Sequence, residues 1–207
     1  MRSILVANPK GGSGKTTLAT NLAGYLASAR EVVCLWDLDR QHSALEWLRL
    51  RPGHLPAILR LDERDSAPRK AEWLVLDSPA GLHGKRLTEL VKQASKVLVP
   101  IQPSVFDIAA TRAFLAELAE EKAVRKQRTF VGVIGMRVDP RTRAATQLIT
   151  HLREHNMPLV GWLHDTQLYA NTAFMGLSIF DLPPSQYERE AAFWQPIVDW
   201  VREDSER

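Results

Sequence analysis

Residues 8–17 read Asn8-Pro9-Lys10-Gly11-Gly12-Ser13-Gly14-Lys15-Thr16-Thr17, and their types and spacing are those of a polyphosphate cradle. A polyphosphate is gripped by converging backbone N–H groups, which requires a loop whose side chains leave the approach clear. Gly11, Gly12 and Gly14 provide that opening, with Ser13 and Thr17 beside them. Lys15 adds a point charge, and Thr16 a hydroxyl able to ligate a metal ion. The general pattern G-x-x-x-x-G-K-[ST] is met in variant form, because Pro9 stands at its first position. Lys10, directly before the paired glycines, is a cation that the general pattern does not require. A Gly/Ser-rich turn can do no more than join a strand to a helix, but here glycine, lysine and threonine all fall at the required offsets.

Two further stretches carry carboxylates where such a loop needs them. Val32–Trp36 is an apolar, β-branched run that ends in Asp37-Leu38-Asp39. Spaced by two, Asp37 and Asp39 project to one side of an extended chain. Trp73–Leu76 is a second apolar run, closed by Asp77. A buried strand ending in aspartate is where a nucleoside triphosphatase holds the magnesium shell. Either pair of features alone would also fit a polar turn; beside the glycine loop, Thr16, Asp37, Asp39 and Asp77 become the candidate metal residues. Other chemistries find little support. The six histidines form no metal-ligand spacing with one another or with Cys34, no Gly-x-Ser-x-Gly elbow is present, and the lone cysteine sits inside an apolar run.

These residues need elements to hold them. Ile4–Ala7 predicts a strand before the loop, and Leu18, Leu22, Tyr25 and Leu26 recur at helical spacing after it. Beyond the runs already named, strands are expected at Val97–Ile101, Phe130–Ile134 and Leu159–Leu163. Helices are expected at Gln41–Leu50, Leu87–Ala94, Val105–Lys122 and Thr142–His155, and Asp62–Lys70 reads as an exposed loop. Repeated βα units predict an α/β fold: a three-layer, doubly wound, mainly parallel sheet with helices on both faces.

At 207 residues, with 45% hydrophobic and 25% charged residues, the chain is expected to form one domain, residues 1–207. A single cysteine, no apolar stretch of membrane-spanning length and no signal-peptide pattern lead to the expectation of a cytoplasmic protein. The tail from Glu188 to Arg207 places Phe193, Ile197 and Val201 at steps of four, with Trp194 and Val198 beside them. Docking on the core, partner binding and membrane attachment all use such a face. The polar side is acidic, with Glu188, Glu190, Asp199, Glu203, Asp204 and Glu206 against Arg189, Arg202 and Arg207, so core docking is expected over membrane attachment.

Net charge is a modest +3, with a pI of about 9.2, but its distribution is uneven. Lys122, Arg125, Lys126, Arg128, Arg137, Arg141, Arg143 and Arg153 are opposed only by Asp139 and Glu154 between residues 122 and 155. Such a block fits a nucleic-acid surface that reads phosphate rather than bases, and equally a solvated helix face. Arg125, Lys126, Arg128, Arg141, Arg143 and Arg153 are the candidate DNA contacts.

With Lys10–Thr17, Asp37–Gln41 and Asp77–Gly81 read together, the chain resembles the ParA/MinD superfamily of deviant Walker-A ATPases, with most likeness to small partition ATPases of the ParA/ParF type. Val-Pro-Ile-Gln-Pro-Ser at 99–104 and Val-Asp-Pro-Arg-Thr-Arg at 138–143 extend the likeness over nearly the whole chain. The resemblance implies ATP and Mg2+ as cofactors. Lys10 would be the signature lysine reaching the partner's phosphates in a nucleotide-sandwich homodimer, and Lys15 would grip phosphates within its own subunit. Asp39 would position or activate the attacking water, Thr16 would be the direct magnesium ligand with Asp37 and Asp77 near it, and Arg137 would join the nucleotide-binding set. It further implies weak ATP hydrolysis stimulated by an adaptor or centromere-binding-type protein, non-specific DNA binding and nucleoid association.

The chain departs from the family at Arg40, where proline is usual, and at Met136, where a polar residue near the adenine is common. The chain has no N-terminal helix-turn-helix extension, and its acidic tail lacks the basic targeting helix of the MinD branch, so operator binding and membrane cycling are not expected. Two other readings remain at this point: a nucleotide-binding scaffold or regulator with little hydrolysis, and a metabolic transferase or synthetase built on the same loop.

Overall fold

A computed structural model describes residues 1–63, 65–154 and 157–203. Within these residues seven strands form one parallel sheet: β1 (Arg2–Val6), β2 (Val33–Asp37), β3 (Ile58–Arg60), β4 (Trp73–Asp77), β5 (Lys96–Ile101), β6 (Phe130–Gly135) and β7 (Leu159–Trp162). Their order is β3-β2-β4-β1-β5-β6-β7. Among the described residues, eight α-helices accompany them: α1 (Lys15–Ser28), α2 (Ser43–Leu50), α3 (Gly84–Gln93), α4 (Val105–Glu120), α5 (Lys122–Arg125), α6 (Arg143–Glu154), α7 (Gln167–Ala173) and α8 (Pro184–Arg202).

Why the strands read as continuous apolar runs is visible in the two cores. Side chains alternate across a strand, so Ile4 and Val6 enter one core with Val33, Leu35 and Val75, against α1 and α8. Leu5 and Ala7 enter the other with Cys34, Leu74 and Leu76, against α3, α4 and α6. Both faces of the sheet are covered, and neither face needs polar positions. The doubly wound α/β architecture expected from the alternation is the observed one.

The tail helix packs into the first core through Trp194, Ile197, Val198 and Val201, each no more than 3% exposed. It begins at Pro184 rather than Glu188, since proline costs little in a first helical turn. Asp204, Glu206 and Arg207 of the expected tail, and His155 of the expected Thr142–His155 helix, lie outside the described residues. Glu190, counted by sequence on the polar side, is instead buried at 6% exposure. β3, with three residues, is too short to show alternation, and α7 and the 3-10 turn Ile179–Asp181 are likewise unforeseen. The helix expected to run to Lys122 breaks at Glu121, where the backbone turns extended.

One buried ion pair ties α2 to the approach to α8. Arg51 donates to both carboxylate oxygens of Asp181 at 2.8 Å each, and the two side chains are 5% and 1% exposed. Burial alone would raise the Asp181 pKa, but Arg51 and the Ser178 hydroxyl and N–H hold it below the usual carboxylate range. Removing one partner strands the other in the interior, so Arg51→Ala is expected to cost about 3–5 kcal/mol of unfolding free energy. Urea denaturation checks this, and a loss under about 1 kcal/mol would show that the pair is a surface-type contact.

The strand order also locates the site. From β1 the chain fills one side of the sheet with β2, β3 and β4, then crosses to β5, β6 and β7 on the other. Ligands bind at such a reversal, outside the C-terminal ends of the strands. Register places Val6 beside Asp77, and Asp77 beside Asp37, on that edge.

Candidate functional site

The loop after β1 is anchored before it reaches its glycines. Asn8, 1% exposed, donates to the Pro100 carbonyl at 2.8 Å and the Thr111 hydroxyl at 3.0 Å, while its Oδ1 accepts the Lys10 N–H at 2.9 Å. Gly14, at φ +98°, is the residue from which α1 starts. A Cβ there would lie 2.8 Å from the Met136 methyl carbon, Cε, and the left-handed backbone disfavours side chains in any case. Met136 thus packs beneath the loop. The unpaired N–H groups at the start of α1 face a cavity of about 810 Å3 lined by residues 11–17 together with Asp39, Arg40, Pro79 and Arg137. Arg137 holds a positive φ of 53° and stands where this cavity meets its neighbour.

Lys15 is 7% exposed, and its Nζ donates to the Lys10 carbonyl at 3.1 Å. Burial pulls its pKa down, against the pull of the Asp77 and Asp39 charges. Thr16 donates its hydroxyl to Asp77 Oδ2 at 2.7 Å, whereas Asp77 Oδ1 is buried without a hydrogen-bond partner. An orphaned buried oxygen beside a hydroxyl suits a divalent cation or its bound water. Among the described residues no three His, Cys, Asp or Glu side chains converge as a metal site. Magnesium on a phosphate loop needs fewer, because phosphate oxygens and water fill most of its shell. The residues present therefore fit that ion.

Asp37 and Asp39 part company. Asp37 accepts the Asp39 N–H on one oxygen and the Leu45 N–H on the other, both at 3.0 Å, and does not line the cavity. Its carboxylate shapes the turn into α2, because the chain folds back after the strand instead of staying extended. Asp39 does face the cavity, steadied by the N–H groups of Gln41 at 3.0 Å and Ala80 at 3.3 Å. Lys10 sits at the rim, where its ammonium pairs with Asp107 of α4. Neither Asn8 nor Asp107 carried any local signal; they lie 92 and 97 residues from partners they reach only through the fold.

The basic block does not form one surface. Arg125, Lys126 and Arg128 precede β6, at the sheet edge away from the loop, and Arg153 at the end of α6 precedes β7 on that same edge. Arg141 and Arg143 follow β6 on the loop's own edge, one strand length of about 20 Å away. Neighbours in sequence are separated because a strand and a helix run between them. Arg141 is engaged by Asp139 through bonds of 2.9 and 2.8 Å, which hold the Asp139 carboxyl down to about 2.

Asp77 gives a pH signature. Burial, foremost, and then the Asp37 and Asp39 charges push its pKa up from 3.8 to about 7, against the Thr16 hydroxyl and Lys15. The folded chain thus holds a proton that the unfolded chain releases near 3.8. Its contribution to stability falls as pH rises from 3.8 to about 7 and is flat above. Asp77→Asn is expected to remove this slope and raise the melting temperature of the nucleotide-free protein above pH 7. Melting curves from pH 5 to 8 check it; parallel curves for the two proteins would contradict the burial argument.

A glycine cradle at the sheet reversal, opening onto a helix start with Lys15 inside it, defines the class: this is a phosphate-loop nucleotide-binding domain. More narrowly, residues 4–179 match the CobQ/CobB/MinD/ParA nucleotide binding domain, and the chain belongs to that family. It is 34% identical over 214 residues to maintenance of carboxysome distribution protein A of Gloeobacter kilaueensis, covering 98% of this chain and 95% of that one. It is 31% identical over 199 residues to the chromosome-partitioning ATPase Soj of Thermus thermophilus, covering 78% and 80%. The fold is shared with an ATP complex of Cyanothece McdA, at a TM-score of 0.72, 15% identity and 96% coverage of each chain. It is also shared with MinD in the MinC:MinD complex of Aquifex aeolicus, at 0.72, 20% identity and coverage of 99% and 97%. No described helix is long and apolar enough to cross a membrane.

Proposed function

We propose that this protein is an ATPase switch of the ParA/MinD kind. It binds ATP with Mg2+, dimerises through the bound nucleotide, and hydrolyses ATP slowly until a partner protein stimulates it. In this way it positions DNA or another large cargo, working in the cytoplasm at the nucleoid. The observation that carries this reading is the division between two lysines. Lys15 is buried in its own cradle, whereas Lys10 waits at the rim, its side chain 39% exposed and restrained by one carboxylate. A cation able to leave its subunit's rim can neutralise phosphate charge on a facing subunit, which links hydrolysis to dimerisation.

Within the site, Thr16 and Asp77 are the residues to hold Mg2+ and its water, and the bound ion would offset phosphate charge. Asp39, aimed into the cavity with its oxygens steadied by two N–H groups, is placed to accept a hydrogen bond from a water molecule. The names of the relatives, which include carboxysome-distribution and chromosome-partitioning proteins, support a positioning role with a choice of cargo.

DNA binding follows phosphate chemistry. Among the described residues Arg125, Lys126 and Arg128 are exposed and make no ion pair, whereas Arg141 spends its charge on Asp139. Gel shifts of a random-sequence duplex are expected with ATP and not with ADP, weakening steeply with salt. Reversing Arg125, Lys126 and Arg128 to glutamate should weaken the shift by about tenfold or more, and reversing Arg141 and Arg143 by less. Equal shifts for the wild type and the triple reversal would remove that cluster from the DNA-binding surface.

A further inference from the structure

Among the described residues, three cations line the phosphate cavity: Lys15, Arg40 and Arg137. The strand order sets the two arginines apart. Arg40 follows β2 and Arg137 follows β6, with the glycine loop after β1 between them, so four strand spacings of about 4.8 Å part their backbones by roughly 19 Å. Arg137 stands where the cavity meets its neighbour, together with Gly14 and Thr17. The other end is bounded by residues 38–41 and 79–80. A nucleotide whose sugar lies toward the junction would point its terminal phosphate past Lys15, to the turn that carries Arg40.

That turn is held by bonds that leave the Arg40 side chain out. Asp37 accepts the Asp39 N–H at 3.0 Å, Asp39 accepts the N–H groups of Gln41 at 3.0 Å and Ala80 at 3.3 Å, and the Asp39 carbonyl accepts the His42 N–H at 3.1 Å. Arg40 is the second residue of this four-residue turn. Proline is favoured at that position of common turns because its ring presets φ. Here the hydrogen bonds hold the backbone, and the position carries a guanidinium instead. Arg40 is exposed, and its side chain makes no ion pair or hydrogen bond among the described residues. Other cations near the cavity are engaged: Lys10 pairs with Asp107, and Arg141 with Asp139. Asp39, though adjacent, directs its oxygens to backbone N–H groups.

We propose that Arg40 grips the terminal phosphate of a nucleoside triphosphate bound in its own subunit, and so sets that subunit's preference for triphosphate over diphosphate before a second copy arrives. A guanidinium matches phosphate oxygens with two parallel N–H bonds, and a diphosphate lacks the group that they would meet. Arg40 is thus a phosphate-contacting residue acting within one chain, distinct from Lys10, which serves the facing one. The proposal rests on the reading of the loop as a nucleoside-polyphosphate site.

Calorimetric titration with Mg2+ tests it, using ADP and the non-hydrolysable imido analogue AMPPNP, on Lys10→Gln protein so that no cation from a facing copy contributes. This protein is expected to bind AMPPNP about tenfold or more tightly than ADP, the scale of a hydrogen-bonded contact to a charged group. Adding Arg40→Gln should bring the two affinities within about twofold, through loss on AMPPNP alone, and Arg40→Lys, which keeps the charge but not the fork, should fall between. Unchanged ADP binding shows that the variants fold. Equal binding of the two nucleotides before Arg40 is changed overturns the proposal, as does a preference that survives Arg40→Gln. An equal loss on ADP and AMPPNP overturns it too, by placing Arg40 on the inner phosphates. Failure of the wild type to bind either nucleotide would instead overturn the phosphate-site reading beneath it.

Discussion

Lys15→Ala is expected to lower ATP turnover by about 10²–10³-fold, the scale set by removing one preorganised charge-stabilising group from a reaction centre. Lys15 is the cation inside the cradle, 7% exposed, within the electrostatic reach of Asp77 and Asp39. Its lowered pKa means that the fold bears a cost for burying the charge, so its value lies in binding phosphate and not in stability. The variant should therefore still fold. Phosphate-release kinetics measure the effect, and turnover within about threefold of the wild type would detach the loop from the chemistry.

Lys10→Gln is expected to act differently. Glutamine keeps a donor for Asp107, which would otherwise be left buried beside the rim at 8% side-chain exposure, but it carries no charge to a facing subunit. Nucleotide binding should remain within a few-fold of the wild type, because Lys15, Thr16 and the loop N–H groups are untouched. Turnover should fall by about 10³-fold or more, as for other cations supplied across an interface. A variant that lost binding and turnover together would place Lys10 in its own subunit's cradle.

The parts of this site that were legible in sequence are those built from contiguous residues. Glycines and Lys15 at fixed offsets, and aspartate at the end of an apolar run, need no knowledge of the fold. The parallel register then supplies what local reading assumes, bringing Asp77 to the end of β1 and within 2.7 Å of the Thr16 hydroxyl. Asp37 shows the limit of the same reasoning. It has the right residue type at the right strand end, yet both of its oxygens are taken by backbone N–H groups of the turn into α2.

Long-range partnerships left no trace in the sequence. Asp107 begins a helix like many aspartates, and only the packing of α4 beside the loop gives it Lys10. Glu190 reads in sequence as part of the acidic face of the tail, because helical periodicity cannot reveal an inward carboxylate whose partners, His164 and Tyr169, come from other elements. Charge proximity along the chain misled in the opposite direction. Arg128 and Arg141 are 13 positions apart, but β6 lies between them and carries them to opposite edges of the sheet.

ATP is expected to join two copies of this chain, with Lys10 required for the joining. Sedimentation velocity with Mg2+ and either ATP or ADP addresses it directly. The wild type is expected to sediment at twice the mass of the 23.3 kDa chain with ATP and as a monomer with ADP, while Lys10→Gln stays monomeric with both. A wild type that remains monomeric with bound ATP, or a Lys10→Gln variant that dimerises as the wild type does, would contradict it.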